Sequence, residues 1–106
     1  MVLIQLLLPL TTVGSADITS LLTRTQRELV ERFGGVTAYY RTPAEGVWTS
    51  PQGGREEDRV VMVEIVARTF DRPWWRAYVG ELERRFVQDA IHVRAMTIEL
   101  LDEASA

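Results

Sequence analysis

Three side chains of this sequence combine proton-transfer chemistry with positions where strands are expected: Glu64, His92 and Tyr39. Glu64 is the sharpest of them. It lies inside Val60–Ala67 (V-V-M-V-E-I-V-A), an otherwise apolar, β-branched run that reads as a central strand. A carboxylate inside such a strand needs a hydrogen-bonding partner or a wet cavity. In a polar pocket, Glu64 would act as general base or ligand anchor, with His92 as acid–base partner and Tyr39 beside them. Gln5, Trp48 and Arg94 are the side chains placed to hold a ligand there. A second reading keeps the residues and drops the chemistry. Glu64 then pairs with Arg41, Arg68 or Arg94, its own or a second subunit's, and buried ion pairs of that kind need no catalysis. His92 is either that acid–base partner or an exposed histidine at a strand start. Trp48, among glycines and prolines, is a lid over the pocket, an anchor into a second subunit, or a side chain folded back on its own domain.

Six elements position these groups. Val2–Leu8 is nearly all apolar, with faces Val2/Ile4/Leu6/Leu8 and Leu3/Gln5/Leu7, so Gln5 is the lone polar group of its face. Pro9–Ala16 reads as a loop, and Ser15 or Asp17 can cap the helix after it. Ile18, Leu21, Leu22, Thr25, Leu29 and Phe33 recur at helical spacing and predict a helix over 18–33, stopped by Gly34-Gly35. Val36–Thr42 alternates as a half-exposed strand, with Thr37, Tyr39 and Arg41 on one side. Thr42–Gly54, with two prolines and three glycines around Val47-Trp48, reads as a long, partly ordered hairpin loop. Glu56-Glu57-Asp58 lacks the alternating ligands and glycine turn of a calcium loop, and reads as a solvated approach to the next strand.

Val60–Ala67 sorts into Val61/Val63/Ile65/Ala67, expected against the helices, and the mixed face Val60/Met62/Glu64/Val66/Arg68. Asp71-Arg72-Pro73 opens a second helix, with Trp75, Tyr78, Val79, Leu82, Phe86 and Ala90 as its apolar stripe. Trp74, Trp75 and Tyr78 are expected in the core and along the helix edge. Arg84 and Arg85, mixed with Glu81 and Glu83, read as solvated helix surface. His92–Leu101 is predicted as the last strand, before a short tail.

Composition removes several function classes. A chain of 106 residues, 46% hydrophobic, has material for one core, and so for a single domain over 1–106. A net charge of −3 argues against a nucleic-acid binder, and the two most apolar strands lack aromatics on which bases stack. With no cysteine, disulfides, thiolate catalysis and cysteine-ligated zinc are excluded. His92 is the only histidine, which excludes a multi-histidine metal site within one chain. All twelve basic residues are arginine, so neither a lysine Schiff base nor a P-loop lysine exists. No cofactor is expected. Met1–Leu10 lacks a basic n-region and is shorter than the ~18 residues of a membrane span. It reads as the first strand of a cytoplasmic protein without membrane contact.

The order βαββαβ, with right-handed crossovers, predicts an α+β ferredoxin-like fold. Its four-stranded antiparallel sheet should have order 4-1-3-2, with two helices on one face. The open face would then carry Gln5, Tyr39, Glu64 and either His92/Arg94 or Thr97/Glu99. Its apolar content argues against exposure, so a homodimer through this face is expected, with room for a small-molecule ligand. Gly46-Val47-Trp48, then Glu56 or Glu57 opening a strand, then Arg85-Phe86-Val87-Gln88-Asp89-Ala90-Ile91, resembles a family of small uncharacterised bacterial proteins over Val36–Leu101. Size and strand order resemble the dimeric α/β-barrel superfamily, which includes small monooxygenases, muconolactone isomerases and dehydratases. Two functions stand side by side. One is a small dimeric protein with a binding or structural role. The other is a cofactor-free enzyme acting on a small organic molecule with Glu64 as general base.

Overall fold

β1 (Val2–Pro9), α1 (Ile18–Phe33), β2 (Thr37–Thr49), β3 (Arg55–Ala67), α2 (Arg72–Phe86) and β4 (His92–Thr97) succeed one another in the predicted order. The computed structural model describes residues 1–9, 17–49 and 55–101, apart from the side chains of 40–49 and 55–59. The sheet has the order β2-β3-β1-β4, which is the predicted 4-1-3-2 read from the other edge. Every neighbouring pair is antiparallel. This is a ferredoxin-like fold.

Strand parity decides where the core lies. Ile4, Leu6 and Leu8 of β1 and Val61, Val63 and Ile65 of β3 are all essentially inaccessible. They pack with Leu22 and Leu29 of α1 and with Trp75, Leu82 and Phe86 of α2. Burying each such side chain contributes about 1.5–3 kcal/mol, so this layer holds both helices on one face. The helix ends obey local chemistry. The Asp17 carboxylate accepts from the Thr19 N–H at 3.0 Å and from the Ser20 hydroxyl at 2.9 Å. Gly34 closes α1 with φ of 85°, a left-handed conformation that costs glycine nothing. At α2, Asp71 accepts from the Trp74 N–H at 3.1 Å, with proline in the first turn.

Four expectations need correction. The segment read as a loop over 42–54 is mostly strand: Ala44–Thr49 pairs with Val60–Arg55. Between Tyr39↔Met62 and Ala44↔Val60 the register shifts, so residues 40–43 face Val61 alone in a bulge. Pro43, which cannot donate to a ladder, sits in that bulge on an edge strand, where proline is tolerated. β4 ends at Thr97 rather than Leu101, because Thr97 pairs with Val2, the first residue of β1. α2 ends at Phe86 with Val87 left-handed (φ 51°), which leaves Ala90 outside the helix and exposed.

The fourth correction is Arg85, expected on a solvated surface and found with its side chain only 4% exposed. It points across to α1. Its two terminal nitrogens donate to the Glu28 carboxylate at 2.7 and 3.0 Å, and one also reaches the Thr25 hydroxyl at 3.0 Å. The Tyr78 hydroxyl donates to the same carboxylate at 2.8 Å. Arg85 thus ties the helices together above the sheet. Its hydrogen bonds hold the Glu28 carboxyl below its ordinary range, while burial and that neighbouring carboxylate push the Tyr78 phenol up. Because the Glu28 pKa is lowered on folding, its stabilisation is present above the unfolded value of about 4.3 and lost as pH falls through the folded one. Glu28→Gln should lower Tm at pH 7 by roughly 4–8 °C, the effect of about 1 kcal/mol in a small domain. The difference from wild type should shrink as the medium is acidified. A Tm gap that stays constant across the acid range, measured by thermal scans, would remove the charge from this account.

Candidate functional site

Opposite the helices, the sheet presents three rows of side chains. The central row runs Thr37, Glu64, Gln5, Arg94, one residue from each strand. On one side of it stand Met62, Leu7 and His92, with Tyr39 at the end. On the other stand Val66, Leu3 and Met96. A polar line therefore crosses an apolar face.

The central row is hydrogen-bonded from Glu64 to Arg94. Glu64 Oε2 accepts from Gln5 Nε2 at 2.6 Å, and Gln5 Oε1 accepts from Arg94 Nε at 2.7 Å. Tyr39 lies diagonally across the β2–β3 pair, within reach for a long aromatic side chain. Its hydroxyl donates to Glu64 Oε1 at 2.9 Å. Gln5 is 9% exposed, so both ends of its amide must find partners inside the face. Its donor end meets the carboxylate and its acceptor end the guanidinium. The hydrogen bond from Tyr39 to Glu64 and the negative charge of that carboxylate raise the Tyr39 pKa above its ordinary value.

Of the residues singled out from the sequence, Glu64, Tyr39, Gln5 and Arg94 come together. His92 does not join them: it pairs with Leu7 in the adjacent row, is exposed, and makes none of the described side-chain hydrogen bonds. The side chains of Trp48, Arg41 and Glu56–Asp58 lie outside the described residues; the Trp48 backbone pairs with Glu56. Among the described residues, no ion pair involves Glu64, Arg68 or Arg94. Thr37, opposite Glu64, was missed, because its register depends on the bulge after it. Beside Glu64 a depression of about 440 Å³ opens toward the end of α1, walled by Leu3, Phe33, Val36, Thr37 and Val66. Trp75 is in the core, and Trp74 stacks on Tyr78 at 4.8 Å with Arg32 over its ring at 4.1 Å. No group of three or more His, Asp or Glu side chains able to hold a metal ion occurs among the described residues. No helix among them is long and apolar enough to cross a membrane.

No family model matches the chain, and no curated protein does. Solved structures do. A point mutant of CutA1 from Pyrococcus horikoshii OT3 is 12% identical, with a TM-score of 0.59, over 99% of this chain and 90% of that one. A phage SAM lyase in its apo state is 16% identical, with a TM-score of 0.57, over 90% of this chain and 78% of that one. The phage SAM lyase in complex with S-methyl-5'-thioadenosine is 15% identical, with a TM-score of 0.59, over 90% and 79%. At such identities the likeness establishes the shared fold and nothing of the chemistry.

The Tyr39–Glu64 bond is directly measurable. In an ultraviolet titration, at least two phenols of wild type, Tyr39 and Tyr78, should ionise above the usual value of about 10, and in Glu64→Gln only that of Tyr39 should move back down. Identical titration curves for the two proteins would mean that the bond does not form in solution.

Proposed function

We propose that the chain is a small ferredoxin-like protein, one domain over residues 1–106, that associates with copies of itself through the open sheet face. In its simplest form this is a cytoplasmic homodimer with a binding or structural role. One observation carries the reading. A single tied polar row crosses an otherwise largely apolar open face, with Val66 and Met96 each about two-fifths exposed (41% and 42%), Leu3, Leu7 and Met62 half-buried, and Tyr39 and exposed His92 at the ends of one flank. Exposed apolar surface rimming a polar row of this kind marks interfaces on soluble domains. The resemblance to the dimeric α/β-barrel superfamily supports the same surface.

A second reading has its own observation. The Glu64 carboxylate borders an open depression of mixed polar and apolar lining and is oriented by two donors, Gln5 and Tyr39. That is the arrangement of a general base beside a small-molecule site. A phage SAM lyase is among the similar structures, which makes SAM the first small organic molecule to test. In this reading Glu64 takes a proton from the substrate, and no cofactor is needed.

Light scattering on a size-exclusion column, together with incubation with SAM, separates the two. The first reading expects a mass of two chains for wild type, weaker association for Glu64→Gln, and no turnover. Release of S-methyl-5'-thioadenosine by wild type, abolished by Glu64→Gln, would put the enzyme in its place.

A further inference from the structure

The central row carries two charges of opposite sign, separated by the Gln5 amide, and each charge is only partly used. Glu64 has two neutral donors and no cation among the described residues. Arg94 spends one nitrogen on the Gln5 amide, and its terminal nitrogens have no partner among the described residues. The two residues stand on the strands flanking β1, each strand about 4.8 Å from it, and both face the open side.

A second sheet packed on this face would lie about 10 Å away, with a two-fold axis in the plane between the sheets. The charge pattern chooses among such axes. An axis running across the strands sets Glu64 against the same residue of the second copy, two carboxylates in a closing interface. An axis along β1 exchanges the positions of β3 and β4. Glu64 then faces Arg94 of the partner subunit, and by symmetry the contact occurs twice. The same rotation lays Val66, Leu3 and Met96 on their counterparts in reverse order, apolar on apolar. Met62 meets His92 of the partner subunit, and Leu7 and Gln5 face themselves. Of these two axes, only the one along β1 sets opposite charges against each other.

We infer that Glu64 of each copy is completed in trans by Arg94 of the partner subunit, about a two-fold axis along β1. This rests on the reading of the open face as a self-association surface. It also puts Tyr39 at the rim, because β2 has no counterpart on the far side of β4. The phenol therefore stays at the solvent edge, while the carboxylate is covered and the second copy closes over the Leu3 and Val66 side of the depression beside it.

The test uses charge reversal. E64R leaves two cations in the row and R94E two carboxylates, so each variant repels its own copies and matches the other. In sedimentation equilibrium, each alone should associate at least about 100-fold more weakly than wild type, which is the scale for opposing buried charges. An equimolar mixture should recover a two-chain complex, and the double variant E64R/R94E should associate as wild type does. Where reversal unfolds a variant, as circular dichroism would show, E64Q and R94Q take its place in a double-mutant cycle. There the double variant should cost no more than one single. Wild-type dimers that neither substitution weakens overturn the trans pair and leave self-association standing. A wild type that stays monomeric at high micromolar concentration overturns both.

Discussion

The amide of Gln5 is the constraint on which the open face depends. It is a neutral polar group near the middle of an interior strand, too buried for water to satisfy. An amide has a donor end and an acceptor end, so it cannot be satisfied by two like neighbours. Placing a carboxylate on one side and a guanidinium on the other settles its orientation and gives the row a direction. The same requirement fixes register. A one-residue slip of β1 against β3 would turn Gln5 into the hydrocarbon under the helices and carry Ile4 or Leu6 to the open face. One side chain thus couples strand alignment to the placement of Glu64 and Arg94.

Much of this was legible in the chain, because the period-two faces of β1 and β3 leave little choice. Ile4, Leu6 and Leu8 alternate with Leu3, Gln5 and Leu7, and Val61, Val63 and Ile65 alternate with Met62, Glu64 and Val66. Once the βαββαβ order sets those strands side by side, Gln5 and Glu64 must share a face, and only their register was unknown. Tyr39 and Arg94 were named for the same reason of parity. The hairpin was not legible, since prolines and glycines look alike in a loop and in an edge strand with a bulge. There the edge is what tolerates them, and edges are a property of the assembled sheet. Arg85 was misread because its neighbours along α2 are charged, whereas its partners Glu28 and Thr25 are on the other helix. The hint was Thr25, the lone polar residue in the apolar stripe of α1.

Two polar networks therefore lie on opposite sides of one sheet, and they do different work. The Arg85–Glu28–Tyr78 cluster is closed: its guanidinium meets a carboxylate of the same chain, and its charges cancel within the helical layer. Removing Glu28 would leave the Arg85 guanidinium buried without its main partner, so the cluster joins the two helices. The Glu64–Gln5–Arg94 row is open. Its charges are held apart by an amide rather than brought together, with Arg94 exposed and Glu64 half-buried.

The bulge at residues 40–43 has a consequence for how growth of such assemblies is limited. A sheet has two exposed borders as well as an exposed face, and unpaired strand borders invite endless ribbon extension. Here one border is β4, six residues long, and the other is β2, whose ladder is interrupted at Pro43. Neither offers a long straight template of free backbone groups. A two-fold contact through the face would close on itself, whereas strand addition at a free border could repeat. The irregular hairpin thus spoils one border as a template for strand addition.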